Sequence, residues 1–233
     1  MQYEVQAEQW VRNLDPFRKF LGIAAQANGK ILNYTNIAKD VGVSAPTVHS
    51  YFDILEDGYI GFRLPAFHNS IRKQQRAAPK FYLFDLGVKR ALERSLESRM
   101  SPSTSVYGEA FEHFVILEIW RFLKYYRPDA EMSYFLSKDG AEIDLIISQP
   151  HMPTLLVEIK SKKSVDERDA RHLLHFKGDF SNAHMYILSQ DPNAKLIEGV
   201  NALHWKEGVL ECAKQRGRTV AGANPLHTVP NFC

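Results

Sequence analysis

What this sequence lacks narrows the classes of protein to which it can belong. It has two cysteines, Cys212 and Cys233, which lack metal-binding spacing and are too few for a disulfide framework. No apolar run reaches the roughly 18 residues that a membrane-spanning helix needs, and the N-terminus has no signal-peptide core. We therefore expect a cytoplasmic protein that is not bound to a membrane.

Two further signatures are missing. The sequence has no G-x-x-x-x-G-K-[ST] loop, since its one Gly-Lys pair, Gly29-Lys30, is followed by isoleucine. It also lacks a strong excess of charge, with 29 Lys and Arg against 27 Asp and Glu and a formal net charge of +2. The chain is therefore not expected to bind ATP through a P-loop, and any basic surface for nucleic acid must be local.

The composition is that of a soluble globular chain. Of the 233 residues, 45% are hydrophobic and 24% are charged, which suits one large or two modest domains. The run S-P-S-T-S at 101–105 is the best linker candidate. We predict a first domain over residues 1–100, a second over 106–212, and a disordered tail without periodicity over 213–233.

The first domain has the pattern of a winged helix-turn-helix. After a short helical lead-in, capping residues and glycines delimit three short helices, with a glycine-containing turn between the second and third. The helices are predicted from Asp15 to Asn28, Tyr34 to Val41 and Ala45 to Asp57. Two strands, Tyr59–Leu64 and Lys80–Asp85, then flank an acid-free basic loop that resembles a wing, and a polar helix is predicted from Val88 to Met100.

The third helix and the basic loop are the candidate DNA interface. On the helix, Thr47, His49 and Ser50 should face outward while apolar neighbours pack inward. The cations expected to contact phosphates are Arg72, Lys73, Arg76 and Lys80. The alternative is a protein-interaction module with a solvated loop, and Asp53 on the same helix counts against DNA contact.

Charged residues within two apolar strands carry the strongest chemical signal. In G-A-E-I-D-L-I-I (140–147), strand alternation places Glu142 and Asp144 on one face, and in L-L-V-E-I-K (155–160) it places Glu158 and Lys160 on one face. Charges buried among Ile, Leu and Val must be paired or must bind something of opposite charge. Adjacent strands presenting Asp and Glu-x-Lys form an oxygen-rich site suited to Mg²⁺.

The second domain is predicted as α/β (α+β), with a mixed sheet flanked by helices. A long amphipathic helix, three strands, a helix and two more strands follow one another in the order αβββαβ, extended by a final strand. Their predicted ranges are Gly108–Tyr125, Glu131–Ser137, Ala141–Ser148, Thr154–Lys160, Asp166–Lys177, Ala183–Ser189 and Asn201–Trp205.

These motifs resemble two known families. The D…E-x-K pattern, with Asp144 lacking a preceding proline, resembles the PD-(D/E)XK nuclease superfamily and its restriction-endonuclease-like fold; Glu112 in G-E-A-F-E-H-F-V matches that family's helical glutamate. Residues from about 15 to 205 also resemble the C-terminal region of prokaryotic AAA-type ATPases. The runs that carry this resemblance are L-N-Y-T-N-I-A-K-D-V-G-V-S (32–44), P-K-F-Y-L-F-D-L-G-V (79–88), the helix from Gly108 and the two charged strands.

The resemblance implies a function and leaves alternatives. It implies that Asp144, Glu158 and Glu112 hold Mg²⁺ or Mn²⁺, that Lys160 orients water or steadies the phosphorane, and that DNA is the substrate. It also implies an ATPase module, which is either lost or supplied by a partner. Homo-oligomer formation is a further possibility. The alternatives are a Glu158–Lys160 ion pair with a solvated Asp144, a solvated Glu112, and a non-catalytic DNA- or protein-binding module of an ATPase assembly.

Overall fold

The computed structural model describes residues 14–68, 77–180 and 182–214. The chain divides into two compact units, Met1–Phe114 and Val115–Cys233. Both mix helices and strands, so the chain is α+β as predicted at that level. The predicted lead-in helix, most of the basic loop and nearly all of the tail lie outside the described residues.

The first unit begins with three helices and a two-stranded antiparallel sheet. The elements are α1 (Leu14–Gln26), α2 (Tyr34–Val41), α3 (Ala45–Asp57), β1 (Gly61–Leu64), β2 (Lys80–Leu83) and α4 (Leu86–Leu92). Asn33 and Ser44 cap α2 and α3 by accepting backbone N–H bonds, and Gly42 ends α2 in a left-handed conformation with φ 85°. These caps fix the short turn between α2 and α3.

Aromatic side chains fill the core of the first unit. The ring of Phe20 on α1 lies 4.9 Å from that of Phe52 on α3, edge to face, and Phe52 contacts Phe81 of β2 at the same centroid distance. Tyr51 packs against Phe17 in a similar way, 5.1 Å away. Edge-to-face pairs add to the stabilisation from buried area, so this cluster holds α1 and α3 to the small sheet.

The second unit is built on a six-stranded mixed sheet with the strand order β3-β4-β5-β6-β8-β7. A long helix, α5 (Ser105–Tyr126), precedes the sheet in sequence. The sheet and its helices are β3 (Glu131–Leu136), β4 (Glu142–Ser148), β5 (Thr154–Lys160), α6 (Glu167–Leu174), β6 (Ala183–Ser189), β7 (Lys195–Ile197), β8 (Val200–His204) and α7 (Trp205–Ala213). β3, β4 and β5 run antiparallel, whereas β5, β6 and β8 are parallel.

Helix α7 packs tightly on the sheet at a glycine. A Cβ added to Gly208 would lie 2.0 Å from Cδ2 of Leu188, so the close approach requires glycine at this position.

At the end of α7, the buried guanidinium of Arg127 donates to the backbone carbonyl of Cys212 over 2.8 Å and to the side chain of Gln149 over 2.9 Å. Cys212 itself is fully buried.

The ends of two predicted elements differ from the structure, and one short strand was not predicted. Helix α4 ends at Leu92 instead of Met100, because Arg94 has φ 58° and the Ser95 N–H closes the helix on the carbonyl of Arg90. Strand β7 was not predicted, since three residues give no periodicity. Trp205 begins α7 rather than ending a strand, because His204 caps that helix with its ring nitrogen.

Candidate functional site

The register between β4 and β5 brings the predicted acidic residues together. Leu145 pairs with Val157 in the antiparallel ladder, so Asp144 and Glu158 occupy the next opposite positions. Opposite residues of an antiparallel pair project from the same face. The Asp144 Oδ2 atom accepts the backbone N–H of Ile159 over 2.7 Å, which ties its carboxylate to the end of β5.

Glu158 is buried, and only one of its two carboxylate oxygens accepts a hydrogen bond. The residue is 2% exposed, and its Oε1 accepts a 2.5 Å hydrogen bond from Nζ of Lys160. Its Oε2 lies 3.3 Å from Nδ1 of His172 on α6, within ion-pair range, although the two atoms do not form a hydrogen bond. A buried carboxylate is costly unless it is paired, and here Lys160 and His172 each place positive charge beside one of its oxygens.

The carboxylates at this site raise the pKa values of Lys160 and His172. Burial opposes the charge on Lys160, but the Glu158 carboxylate, assisted by Asp144 and Asp169, outweighs it and raises the lysine pKa. The interaction with Glu158 also raises the pKa of His172, against partial burial and the nearby Lys160 charge. His172 therefore joins the site as a fourth charged group.

His172 was not identified from sequence as part of this site. Histidines scattered along a chain carry little signal, and His172 lies 14 residues after Glu158. The usable clue is topological: β5 and β6 are parallel neighbours, so α6 must cross over one sheet face between them. The polar side chains of that helix then become candidates to contact the charged end of β5.

Lys162, which follows β5, forms a separate ion pair. Lys162 donates to the buried carboxylate of Asp169 over 2.5 Å. Asp169 also accepts the backbone N–H of Asp166, completing a capping box at the start of α6. This lysine is therefore engaged in holding α6 and does not extend the charged site.

The Asp144–Glu158 pair has the chemistry of a carboxylate donor set, which stays a prediction as a metal site. Across the described residues, no three His, Cys, Asp or Glu side chains are grouped closely enough to hold a metal alone. Mg²⁺, however, is commonly held through one or two carboxylates and keeps several waters. Two carboxylates at opposite positions of neighbouring strands are that type of donor set, although Oε2 of Glu158 already lies beside His172.

Glu112, the predicted third metal ligand, has other partners. It lies in the first unit, where it accepts a 2.9 Å hydrogen bond from the hydroxyl of Tyr82 and lies 3.7 Å from Nζ of Lys80. These contacts give Glu112 a structural function within that unit. Its role as a metal ligand stays a prediction.

Lys80, a predicted phosphate contact, is buried. It is 4% exposed on β2 and its ammonium is directed to Glu112. The prediction that it contacts phosphate is wrong for this residue, because the inner side of β2 covers a side chain that the sequence pattern placed on a solvated loop. Arg72, Lys73 and Arg76 lie outside the described residues.

The exposed side of α3 is polar but not basic. His49 and Ser50 are exposed as predicted, and the His49 ring stacks on Tyr34 with centroids 3.5 Å apart. Thr47 is half-buried, and its hydroxyl lies 2.8 Å from that of Ser44. Their assignment to a DNA interface stays a prediction.

Arg63, a described cation that contacts this helix, is already neutralised. Arg63 of β1 pairs with Asp53 over 2.8 Å and with Glu56. It also donates to the carbonyl of His49 over 3.2 Å. Because two carboxylates pair with its one guanidinium, Arg63 has no excess positive charge to offer a phosphate.

In comparison with known proteins, the two halves of the chain each match a different family model, and both models describe domains of unknown function. Residues 1–99 match a domain of unknown function, DUF8612, and residues 107–207 match another, DUF4143. Uncharacterized proteins Mb2031c of Mycobacterium bovis and Rv2008c of Mycobacterium tuberculosis are each 24% identical over 170 residues, covering 70% of this chain and 38% of theirs. The chain therefore spans well under half the length of these relatives.

One solved structure shows weak similarity. A half-complex of Thermococcus gammatolerans McrB AAA+ hexamers with bound McrC aligns over 80% of this chain and 70% of that chain, at 12% identity and a TM-score of 0.32. A score this low does not establish a shared fold. Separately, none of the described helices is long and apolar enough to cross a membrane.

Proposed function

We propose that the second unit is a PD-(D/E)XK-like, Mg²⁺-dependent deoxyribonuclease domain. The observation that carries this proposal is the juxtaposition of Asp144 and Glu158 across β4 and β5, with Lys160 bound to Glu158. Three strands in antiparallel order, followed by a crossover helix and a parallel strand, agree with the fold expected from the resemblance.

Each residue of the site has a chemical role in this proposal. Asp144 and Glu158 would hold the metal, whose chemistry is to activate water and neutralise phosphate charge. Lys160 keeps its proton, since its pKa is raised, and its ammonium stabilises negative charge that develops on the phosphate. His172 keeps Glu158 oriented from the opposite side.

The first unit would hold DNA for this site. Its α1–α2–α3 order, the short turn before α3 and the antiparallel strands agree with a winged helix-turn-helix. An isolated antiparallel bridge from Ile31 to Lys80 adds the third strand position beside β2. An AAA-type ATPase module, supplied by a longer chain or a partner, would complete the assembly that the sequence motifs suggest.

A cleavage assay tests this function directly. Wild-type protein is expected to nick plasmid or branched DNA with Mg²⁺ or Mn²⁺, while Asp144→Asn and Lys160→Ala lose cleavage and keep DNA binding. Lys163→Ala is the matched control, because Lys163 is an exposed lysine three residues beyond Lys160. The proposal fails if cleavage persists in Asp144→Asn, or if wild type, with and without an ATPase partner, cleaves nothing in a panel of linear, nicked, branched and single-stranded DNA.

A specific observation favours a second candidate, a non-catalytic binding module. Glu158 already has two cationic neighbours, and Asp144 already accepts a backbone hydrogen bond. In this alternative the charges fix the sheet end and bind no metal. Calorimetric titration separates the two: Mg²⁺ or Mn²⁺ binding that disappears in Asp144→Asn supports the nuclease, and no metal binding supports the module.

A further inference from the structure

A groove in the first unit is lined by positively charged side chains that have no role in the proposed nuclease site. It lies between α1 and α4, has a volume of about 360 Å³, and is lined by Arg18, Lys19 and Arg94 around a floor of Leu21, Gly22 and Leu92. None of its described lining residues is acidic. Arg18 has an acidic neighbour outside the groove, Asp15, at 3.5 Å, but both side chains are largely exposed and such a pair contributes little.

The backbone of Arg94 gives independent evidence that its side chain has a role. Arg94 follows α4 with φ 58°, and the next N–H, from Ser95, bonds back to the carbonyl of Arg90. This is the helix-ending position that glycine usually occupies, since other residues are strained there. An arginine at such a position, directed to a groove with two other cations, indicates a function that offsets the strain.

The other cations of α4 are engaged, which distinguishes the groove from a generally basic surface. Lys89 donates to both carboxylate oxygens of Glu93, over 2.8 and 2.9 Å. Arg90 donates to the carbonyls of three following residues, over 2.6–2.9 Å. Within the described chain, Lys19 and Arg94 have no acidic side chain in ion-pair contact, so the groove retains its positive charge.

We propose that the α1–α4 groove binds the phosphate backbone of DNA without sequence preference. Three cations around an apolar floor match a chain of phosphates joined by sugars, and phosphate contacts supply most non-specific affinity. This inference rests on the proposal that the chain acts on DNA, but not on the metal site. It moves the phosphate-binding surface away from α3, where Arg63 is neutralised.

Gly22 allows a test that does not disturb folding. A Cβ at Gly22 would meet only the carbonyl oxygen of Leu92, at 3.8 Å, so a side chain fits there, and leaving glycine favours the helix. Gly22→Glu adds an acid to the groove, and Gly22→Ala is the control for the same backbone change. We expect Gly22→Glu to weaken duplex binding roughly tenfold or more, and Gly22→Ala to match wild type, in fluorescence anisotropy between about 50 and 200 mM salt.

Arg94→Gly separates stability from binding. Because glycine relieves the left-handed backbone, the urea midpoint should rise or stay equal, while duplex affinity falls and the slope of log K against log salt flattens by about 0.9, one phosphate contact. A merely structural arginine would change stability without changing that slope. Equal slopes for wild type and Arg94→Gly would overturn the proposal.

Lysine footprinting locates the contact without cleavage or mutation. Duplex DNA should protect Lys19 from acetylation and leave Lys30 and Lys39, exposed lysines of the same unit, unchanged. Protection by a free mononucleotide at equal phosphate concentration would overturn the proposal in favour of a small-ligand site. If the protein binds DNA but Lys19 stays reactive, the groove proposal is wrong and the nuclease proposal is unaffected. If Lys19 is protected but the protein cleaves no DNA, the nuclease proposal is wrong and the groove proposal holds.

Discussion

In the first unit, a buried amide is hydrogen-bonded at both ends, whereas in the second a buried carboxylate has one oxygen that accepts no hydrogen bond and is held only by an ion pair with His172. Asn28 accepts the Leu83 N–H over 2.8 Å, and its amide nitrogen lies 3.2 Å from Nδ1 of His113. His113 Nε2 lies 2.7 Å from the carbonyl of Leu83, which can only accept, so His113 donates there and accepts from Asn28. At Glu158, Oε2 has no such partner.

This difference separates a scaffold from a site. A buried polar network with its bonds made stabilises one arrangement, since any broken bond exposes a desolvated group. A buried carboxylate oxygen without a hydrogen bond is less firmly held, and such positions are expected where a ligand supplies a further contact. The Asn28 network therefore stabilises the first unit, and Glu158 is the position in the second unit at which the proposed ligand would bind.

The largest effect should come from breaking the satisfied network. Asn28→Ala leaves the buried Leu83 N–H and His113 Nδ1 without their partner, so we expect a loss of about 2–4 kcal/mol in the free energy of unfolding. Urea denaturation measures this. Asn36→Ala, at an exposed position of α2, is the control, and a loss below about 1 kcal/mol in Asn28→Ala would show that the network contributes little.

A smaller effect is expected from unpairing Glu158. Lys160→Ala leaves a buried carboxylate with a single cationic neighbour, and because Lys160 is one-third exposed the loss should be about 1–3 kcal/mol instead of the full value for a buried pair. Glu158→Gln removes the charge and should be closer to neutral in metal-free buffer. If Glu158→Gln were the more destabilising of the two, the carboxylate would be a structural partner and not an unsatisfied ligand.

Asp144→Asn should change stability hardly at all while abolishing metal binding. The amide oxygen of asparagine can still accept the Ile159 N–H, and removing one of two opposite carboxylates relieves repulsion. We expect the melting temperature in EDTA to be equal or slightly higher. A fall of several degrees in calorimetry would assign Asp144 to structure.

The smallest effect is a pH dependence from His172. Its pKa is raised above the ordinary 6.5 by Glu158, so protonated His172 adds stability that is fully present below pH 6.5 and lost as pH rises through the folded-state pKa. His172→Asn should remove this dependence in EDTA and leave the stability at alkaline pH unchanged. NMR titration of the His172 ring checks the direction; a pKa at or below 6.5 contradicts the pairing with Glu158.

The comparison also shows what the sequence could predict. Strand alternation correctly placed Glu158 and Lys160 on one face of β5, where they form an ion pair, because a period of two residues fixes the face of every side chain. Their grouping with Asp144 in one metal site stays a prediction. The caps at Asn33 and Ser44 similarly determined α2 and α3. Both are local signals that one stretch of chain contains.

The predictions that failed or were missed depended on distant residues. Lys80 was predicted to contact phosphate, yet it is buried, and its ammonium lies beside Glu112, 32 residues later in the chain. His172 came to Glu158 through the crossover of α6, and the free charge of Lys19 and Arg94 required knowing that α1 packs beside α4. The local periodicity of the sequence does not show which helices pack against each other.

The position of Cys212 makes it a chemical reporter for one half of the molecule. Its thiol is fully buried, and burial raises its pKa to about 12, so the reactive thiolate is scarce while α7 stays packed. Residues 1–114 contain no cysteine. In a Cys233→Ser background, the rate of thiol labelling therefore follows opening of the second unit alone, and a metal ion or DNA that slows this rate identifies the unit it stabilises.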